Sequence, residues 1–543
     1  MKIGEYLIKV IQETGTKHVF GIQGDYVLNF YSQLWHSSLK VINTCTEQGA
    51  GFAADAYARI TGFGVVCVTY GVGGLNLVNS TAQAFAEFSP VLIISGAPGI
   101  SERQQDQLLH HKIRSFDTQL NIFKEVTIAQ AFLENSIEAA SEINRVINAI
   151  KKTRRPGYIE IPRDIIDQEI IDFQAIKEKS FISDPELMHE ASQEIFTMIA
   201  NAKQPVIIAG VELHRFGLQE LFLEFLDCSR FPFVTGILGK SVISENHPQF
   251  IGVYAGAMTP DDVRQTVEDS DCIIAIGPLV TDLATGIFSH KIDYNKVISL
   301  NFEKIIIKHQ VYQNIDLKSF LEILITDFPK LKKKIPQFKK HELELFVVQK
   351  NKKITVERLI SCVNTFIDDN TTIIAEAGDA LFAALDLTIH ENTEFIAAGY
   401  YASLGFAIPA AVGVQLANLK RRPLVLIGDG SFQMSAVELS VVVANGLNPI
   451  IIILNNGGYG IFRPMIDGAF NDIHSWQYAD FVKIIGSGVG YTVSNEEALF
   501  LALESAKKNV NALSIIDVKL DKNDFSLRLK KLTENLKRKV VNA

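Results

Sequence analysis

Two adjacent histidines, His110 and His111, follow an apolar pair in the segment QLLHHKIRSF at 107–116. Imidazole changes charge near neutral pH, so such a pair could hand protons to a reacting group. A helix or loop with one hydrogen-bonded and one solvated histidine is the alternative interpretation. The pair therefore indicates proton transfer only if other catalytic groups accompany it.

A carboxylate and an amide recur after successive apolar runs in IGDGSFQMSAVELSVVVANGLNPIIIILNNGGYG, as Asp429 and Asn456. Carboxyl ends of adjacent parallel strands share one edge of a sheet, where glycine turns expose N–H groups to anions. These two side chains and the carbonyl of Gly458 are oxygen ligands suited to Mg²⁺ that also holds a phosphate. Two tight turns with Asp429 as an N-cap residue would explain the same pattern without a metal.

A third candidate is Glu47 in NTCTEQGAGFAADAYARITG, at the expected first turn of a helix. A carboxylate there interacts favourably with the helix dipole and needs no catalytic role. The glycines and alanines after it would also provide an apolar setting that keeps a carboxyl partly protonated. Both interpretations remain open from these residues alone.

The elements that must position these groups occur twice in the chain. The segments starting at Gly62 and at Arg422 both read as strand, glycine turn, helix, proline and strand. Three landmarks recur in order, namely a G-F-A helix start (Gly51–Ala53 and Gly405–Ala407), a turn glycine (Gly71 and Gly430) and a proline (Pro90 and Pro449). The strands are near-continuous Val, Ile and Leu runs, which are typical of parallel strands covered on both faces.

A third doubly wound unit is predicted between the two copies. It is indicated by apolar runs at 205–210, 232–236, 271–277 and 296–301. Because it lacks a G-x-G-x-x-G turn, a structural or regulatory role is predicted and no nucleotide. The fold class is therefore α/β, with three doubly wound parallel-sheet domains of which the first and third share one fold. The predicted domains are 1–170, 190–335 and 350–543, separated where turn residues and lysines interrupt the periodicity.

Composition indicates an ordinary globular enzyme. The 543 residues are 47% hydrophobic and 21% charged with a net charge of −9, which argues against a nucleic-acid partner. The basic runs at 331–340 and 527–541 are interpreted as a linker and a solvated helix face. Five cysteines without C-x-x-C spacing favour a reducing cytoplasm. The N-terminal MKIGEYLIKVIQETG has the stripe of an amphipathic helix, and no apolar run is long enough to predict a membrane span.

G-D-G followed by N-N resembles the thiamine diphosphate motif of the pyruvate oxidase and decarboxylase superfamily. The resemblance covers the whole chain in the order pyrimidine-binding, middle and diphosphate-binding domain, and the duplication is what it implies. It implies thiamine diphosphate and Mg²⁺ as cofactors. The residues it assigns to the metal are Asp429, Asn456 and Gly458, and those near the diphosphate and thiazolium are Gly430, Ser431, Tyr459 and Ile461.

The same resemblance assigns the other half of the cofactor. Glu47 would hydrogen-bond N1′ of the aminopyrimidine, so that the cofactor's own amine takes the C2 proton, and Thr69 would lie beside it. In YYASLGFAIPAA, the carbonyl of Ala402 would hold that amine and Leu404 would keep the cofactor bent. Since Glu47 and Asp429 lie in different domains, the family's site forms between two subunits. A homodimer is thus the minimum unit, and a homotetramer is expected.

The segment LLHHKIRSF resembles the paired-histidine motif of 2-oxo acid decarboxylases acting on pyruvate, indolepyruvate or phenylpyruvate. Asp25 in VFGIQGDYVLNF matches the acid that accompanies it. These three groups would handle protons after CO₂ leaves. Pyruvate decarboxylases carry a second catalytic glutamate where this chain has Phe462. The segments VTYGVGGLNLVNSTAQAFAE and LLHHKIRSFDTQLNIFKEVTIAQA most resemble the phenylpyruvate and indolepyruvate branch, where this position need not be acidic.

The expected reaction is decarboxylation of an aryl or bulky 2-oxo acid to an aldehyde and CO₂. Ile461, Phe462 and Met465 are predicted to share one side of a helix and form an apolar pocket wall. A carboligase of the acetolactate synthase type is an alternative. Its enamine must wait for a second carbonyl compound, so an acid at the position of Phe462 is not needed. A non-catalytic thiamine diphosphate sensor is the other.

Overall fold

The chain folds into three α/β units, each built around one sheet. The structure is a computed structural model that describes residues 1–171, 183–302, 304–328, 338 and 346–541. Most of both stretches predicted to separate the domains, and all of the basic run 331–340 except Phe338, lie outside these ranges. The predicted domain limits therefore stay predictions.

The first unit is a six-stranded parallel sheet in the order β2-β1-β3-β4-β6-β5. Its strands are β1 His18–Ile22, β2 Lys40–Asn43, β3 Gly64–Val68, β4 Val91–Ala97, β5 Ala129–Phe132 and β6 Gly157–Pro162. Its helices are α1 Ile3–Glu13, α2 Leu28–Trp35, α3 Glu47–Thr61, α4 Val72–Asn76, α5 Val78–Ala86, α6 Ile100–Gln104, α7 Thr118–Lys124 and α8 Ala139–Thr153. Strands β3 and β4 are buried throughout, because helices cover both faces.

The central unit has seven strands in the order β13-β12-β11-β10-β7-β8-β9. Its strands are β7 Pro205–Ala209, β8 Phe233–Thr235, β9 Phe250–Val253, β10 Cys272–Ile276, β11 Val297–Leu300, β12 Lys304–Ile307 and β13 Gln310–Gln313. Its helices are α9 Pro185–Asn201, α10 Val211–Arg215, α11 Gln219–Ser229, α12 Asp261–Glu268 and α13 Leu317–Asp327. The four predicted strands are confirmed, but β9, β12 and β13 were missed. Strand β12 pairs antiparallel with both of its neighbours, β11 and β13. Strands this short leave little periodicity to detect.

The third unit is again a six-stranded parallel sheet, in the order β15-β14-β16-β17-β19-β18. Its strands are β14 Thr371–Ala375, β15 Glu394–Ala397, β16 Arg422–Gly428, β17 Ile450–Asn455, β18 Val489–Val493 and β19 Ser514–Lys519. Its helices are α14 Val356–Asn364, α15 Asp379–Ala384, α16 Ala407–Ala417, α17 Asp429–Ser435, α18 Leu439–Ala444, α19 Phe481–Ile484, α20 Glu496–Lys508 and α21 Leu527–Val541. Each strand has a counterpart at the same place in the first sheet, which confirms that the two units share one fold.

The two copies of the repeat pack together through α3 and α16. A Cβ atom at Gly413 would lie 2.0 Å from the carbonyl oxygen of Ala53, so only glycine allows this approach of the two helices. The rings of Phe52 and Phe406 meet edge to face beside this contact, with their centroids 5.6 Å apart. The shared core of the first and third units therefore lies between equivalent helices.

The prediction that G-F-A starts a helix in both copies is wrong for the first copy. Helix α3 begins at Glu47, because the Thr46 side chain caps it by accepting a hydrogen bond from Gly49 N–H, and Gly51–Ala53 lies inside the helix. In the third unit, α16 begins at Ala407.

The C-terminal helix α21 is not simply a solvated basic face. Leu529 and Leu532 are buried, and Arg528 forms an ion pair with Asp386. The helix therefore packs against the body of the chain. Within the described ranges, no helix is both long enough and apolar enough to cross a bilayer.

Candidate active site

The Asp429 carboxylate joins the ends of β16 and β17, as the strand pattern predicts. Its Oδ2 accepts hydrogen bonds from the N–H groups of Gly457 at 2.8 Å and Gly458 at 3.1 Å, and its Oδ1 accepts one from Gly430 N–H at 2.8 Å. Asp429 is the first residue of α17 and not its N-cap, which is Gly428. Burial raises the pKa of Asp429 to about 6, against the effect of these three donors. A cation would favour the carboxylate form.

The turn after β17 places further oxygen groups beside Asp429. Asn456 is half-buried there. Gly458 has φ 140°, and a Cβ atom would lie 2.0 Å from the carbonyl oxygen of Asn471, so the turn requires glycine. Across the described chain, no group of three or more His, Cys, Asp or Glu could hold a metal. Asp429, Asn456 and the Gly458 carbonyl offer hard oxygen donors of the kind that Mg²⁺ prefers, and the Gly458 carbonyl also accepts a hydrogen bond from Gly460 N–H at 2.9 Å.

Ser431 and Tyr459 flank the same turn. Ser431 is buried in α17, two residues after Asp429. The Tyr459 ring lies against Gly430, where a Cβ atom would come within 2.8 Å of its Cε1. The ring therefore occupies the space that a side chain at Gly430 would need.

Glu47 faces the turn after β3 in the first unit. Asn76 donates a hydrogen bond from Nδ2 to Glu47 Oε2 at 3.0 Å. At Gly73, a Cβ atom would lie 3.6 Å from Glu47 Oε1 and 3.2 Å from Cγ2 of Thr69. The Thr69 hydroxyl is buried and has no hydrogen-bond partner among the described residues. An orphaned buried hydroxyl near a half-buried carboxyl fits a bound polar molecule.

The segment between β15 and α16 is held by the first unit. Glu87 Oε1 accepts hydrogen bonds from the N–H groups of Tyr400 at 2.8 Å and Tyr401 at 2.9 Å. Ala402 follows with φ 58°, which a non-glycine residue adopts only when its surroundings impose it. Leu404 is half-buried. The backbone carbonyl and the side chain predicted to shape the cofactor therefore lie on a constrained loop.

His110 and Asp25 form a hydrogen-bonded pair. His110 Nε2 lies 2.9 Å from Asp25 Oδ2, and both side chains are about half exposed. The Tyr26 ring stacks on the imidazole with centroids 4.8 Å apart, and its hydroxyl donates to the His110 carbonyl at 3.1 Å. Arg163 Nη1 lies 3.7 Å from the same Asp25 oxygen. The histidine is thus oriented by an acid and an aromatic ring.

His111 is held against the glycine turn after β3. Its φ is 67°, and a Cβ atom at Gly71 would lie 2.6 Å from the His111 Cβ. The two imidazoles meet edge to face, with centroids 4.7 Å apart. His111 Nδ1 is buried and unpaired in the part of the chain that the structure describes. Since Gly73 of the same turn faces Glu47, the turn lies between the carboxylate and the histidine pair.

Comparison with known proteins places the chain in a family. Three thiamine pyrophosphate enzyme models match in order: the N-terminal TPP binding domain at residues 1–120, the central domain at 192–324 and the C-terminal TPP binding domain at 376–518. The chain is 31% identical over 544 residues to indole-3-pyruvate decarboxylase of Azospirillum brasilense, covering 99% of both chains. The chain belongs to the thiamine diphosphate-dependent 2-oxo acid decarboxylase family.

Other members of this decarboxylase family are similar over nearly the same length. Pyruvate decarboxylase 1 of Pisum sativum is 30% identical, with 97% of this chain and 92% of the relative covered. An alpha-keto-acid decarboxylase of Mycobacterium bovis is 28% identical, with 89% and 88% covered. The protein is therefore an enzyme, a carboxy-lyase that takes a 2-oxo acid and uses thiamine diphosphate.

The prediction that Ile461, Phe462 and Met465 share one side of a helix is wrong. Residues Gly460–Phe462 form a single 3₁₀ turn, and turns follow it. Ile461 is partly buried and packs against the hydrophobic core that the central and third units share, while Phe462 is 49% exposed and Met465 is half-buried. Short segments with helical spacing can adopt either geometry. Ile461 and Phe462 therefore do not share one face of a helix.

Sequence reasoning missed a buried ion cluster between the first and third units of the decarboxylase. Arg59 pairs with Asp55 at 2.7 Å and with Glu87 at 3.0 Å, and all three side chains are inaccessible to solvent. Arg59 also donates to the Ala397 carbonyl at 2.8 Å. The opposite charges of Asp55 and Arg59, four residues apart in an alanine-rich segment, could have indicated a buried ion pair.

Sequence reasoning also missed a buried hydrogen-bond network that starts at Gly71, the glycine packed against His111. Gln119 Oε1 accepts from Gly71 N–H at 2.7 Å, and its amide donates to the Tyr158 hydroxyl at 2.6 Å. That hydroxyl donates to Glu160 at 2.7 Å, and burial raises the pKa of Glu160 to about 7. Nothing in the sequence near these residues indicates the network, because its members lie on separate elements.

The central unit lines a cavity of about 480 Å³ that follows β10 and β11 and reaches the turns after β7, β8 and β10, with Phe88 and Gly399 of the other units also lining it. Its walls are mainly apolar and include Ile208, Ile273 and Val297, with Lys304 among the polar lining residues. The predicted structural or regulatory role of this unit stays a prediction.

Proposed function

We propose that the enzyme decarboxylates an aryl or bulky 2-oxo acid, of the phenylpyruvate or indole-3-pyruvate type, to the aldehyde and CO₂. One observation carries the proposal: a half-exposed benzyl ring, Phe462, follows the predicted metal turn where pyruvate decarboxylases carry a carboxylate. Burying an aryl substituent against it would contribute about 2 kcal/mol, at roughly 25 cal/mol per Å² of apolar area. Similarity to an indole-3-pyruvate decarboxylase supports the same substrate class.

The proposed cofactor site has a metal side and a pyrimidine side. Mg²⁺ would be held by Asp429, Asn456 and the Gly458 carbonyl, whose oxygen chemistry suits it. When bound, thiamine diphosphate supplies the carbon that adds to the keto group and accepts the electrons released with CO₂. The remaining proposed cofactor contacts are Gly430, Ser431, Tyr459 and Ile461 on the metal side, and Glu47, Thr69, Ala402 and Leu404 on the other.

The chain's own groups would handle the protons. Glu47 would hold a proton at the pyrimidine N1′, with Asn76 orienting its carboxyl. His110 and His111 would deliver a proton to the carbon that has lost CO₂, and Asp25 would keep His110 oriented. Because Phe462 cannot exchange protons, this cluster would do the work without a second glutamate. Phe462 and Met465 would border the substrate.

The site is proposed to form between two subunits. Glu47 lies on the first unit and Asp429 on the third, and large apolar side chains are exposed beside both groups. Val72 is 54% exposed, Met434 58% and Val437 53%. Removing such apolar side chains from water favours the association of subunits. We infer a homodimer as the minimum unit and a homotetramer as the assembly, and the free thiols favour the cytoplasm.

A panel of 2-oxo acids tests the proposal. Phenylpyruvate and indole-3-pyruvate should exceed pyruvate in kcat/KM by at least about tenfold, with the aldehyde as product. Acetolactate as the main product from pyruvate would establish the carboligase instead. Cofactor binding without turnover of any member would favour the sensor.

A further inference from the structure

Glu438 follows α17 in the third unit and contacts the residues just before Glu47 in the first. We propose that Glu438 is a positioning residue that fixes Glu47 at the cofactor. The inference rests on the role proposed for Glu47. In a dimer whose site combines Glu47 of one subunit with the diphosphate turn of the other, Glu438 would also tie one site to the next, since it lies close in sequence to Asp429 of its own chain.

The carboxylate of Glu438 accepts three hydrogen bonds from the start of α3. Its Oε1 accepts from Thr46 N–H at 2.9 Å and from the Thr46 hydroxyl at 2.8 Å, and its Oε2 accepts from Cys45 N–H at 3.1 Å. Thr46 in turn caps α3 by accepting from Gly49 N–H at 2.9 Å. Glu47 is the next residue, so its backbone is fixed directly by this pair.

The contact is close and buries Glu438, although Cys45 and Thr46 opposite it are exposed. Glu438 is 1% exposed, and a Cβ atom at Gly49 would lie 2.2 Å from its Oε1. A charged acceptor at a helix N-terminus forms stronger hydrogen bonds than a neutral one and interacts favourably with the helix dipole. The first turn of α3 therefore has little freedom to move relative to the third unit.

The repeat offers an internal comparison. Asn79 lies eight residues after turn glycine Gly71, as Glu438 lies eight residues after Gly430. Asn79 Oδ1 accepts one hydrogen bond, from the Ser403 hydroxyl at 3.3 Å. The loop before α16 is likewise held by a buried carboxylate, Glu87, which accepts from the N–H groups of Tyr400 and Tyr401, but α16 has no side-chain cap. Glu438 also accepts from the Thr46 hydroxyl, which caps the helix that begins at Glu47. This bond to the capping hydroxyl supports a role in positioning Glu47 beyond the packing of the two units.

The experiment compares Glu438→Gln, Glu47→Gln and the double variant. Three quantities are measured: hydrogen–deuterium exchange at C2 of bound thiamine diphosphate, the Kd of thiamine diphosphate at saturating Mg²⁺, and the Tm of the apoprotein. Glu438→Gln should slow the exchange by about tenfold or more, the scale of a small misplacement of a reacting group, with Kd changed by less than about threefold. In the double variant the exchange should be no slower than in Glu47→Gln alone.

Thr46→Val and Thr46→Ser provide a matched pair should Glu438→Gln fail to fold. Valine removes the hydroxyl that joins Glu438 to the helix, and should slow the exchange, whereas serine retains it and should exchange at the wild-type rate. An unchanged exchange in both Glu438→Gln and Thr46→Val, or additive losses in the double variant, would overturn the positioning role. A Glu47→Gln protein with normal exchange would instead reject the role proposed for Glu47 itself.

Discussion

His110 Nε2 and Asp25 Oδ2 lie 2.9 Å apart, although one residue precedes α2 and the other follows α6. The carboxylate fixes the direction of the imidazole ring through this hydrogen bond. Tyr26 contacts both imidazoles, with ring centroids 4.8 Å from His110 and 6.0 Å from His111, and the Cβ and backbone of His111 pack against Gly71.

Replacing His110 or His111 by alanine should lower kcat by about 10²-fold or more, the usual effect of losing an acid–base group. Asp25→Asn should act in the same direction. The Kd of thiamine diphosphate should change little, because these groups act on the substrate. Steady-state kinetics and cofactor titration check this, with the exposed His309→Ala as control. Wild-type rates in both histidine variants would mean that His110 and His111 have no catalytic role.

Asp429→Ala should yield protein that purifies without thiamine diphosphate, since one of three proposed metal ligands is lost and the diphosphate charge is poorly compensated. Chelation of divalent metal should release the cofactor from the wild type in the same way. Cofactor content per chain is the measurement, and Asp480→Ala, which removes an exposed carboxylate, is the control. Normal cofactor content in Asp429→Ala would contradict the metal assignment.

Glu47→Gln should fold and bind cofactor, but slow C2 hydrogen–deuterium exchange by about 10²-fold or more. An amide keeps the shape and the contact with Asn76 while losing the acidic proton. Quenched-flow NMR of bound cofactor measures the rate. An unchanged rate would mean that Glu47 only interacts with the dipole of α3.

Phe462→Glu should narrow the preference for phenylpyruvate over pyruvate, because an aromatic substrate would desolvate the new carboxylate. The ratio of kcat/KM for the two substrates measures this effect. Phe470→Glu, at a ring that is 69% exposed, should leave the ratio unchanged. A wild-type enzyme that favours pyruvate would defeat the substrate proposal.

Arg59→Met should lower the free energy of unfolding by about 3–5 kcal/mol, because the buried carboxylates of Asp55 and Glu87 lose the cation with which they both pair. Arg145→Met, which breaks a partly exposed pair with Glu142, should cost at most about 1 kcal/mol. Denaturant unfolding of both variants compares the two losses. Equal losses would mean that the buried cluster contributes no more than a surface pair.

Much of the fold followed from local patterns in the sequence. Val, Ile and Leu runs identified the buried parallel strands, and the recurring glycine and proline identified the repeat that the matching strand orders confirm. The meeting of Asp429 with the turn at Gly457 was also predictable, because adjacent parallel strands end at one edge of a sheet. Such features depend on residues within a single strand–helix–strand unit.

The tertiary structure decided the contacts between units and the conformation of short segments. The Glu438–Thr46 and Glu87–Tyr400 contacts join residues of different units whose neighbours in sequence carry no sign of the partner. The turn at Gly460–Phe462 was misread as a helix because a few residues with helical spacing do not distinguish the two geometries. Hydrophobic periodicity reports which face of an element is buried, whereas the identity of the group across that face depends on how whole units pack.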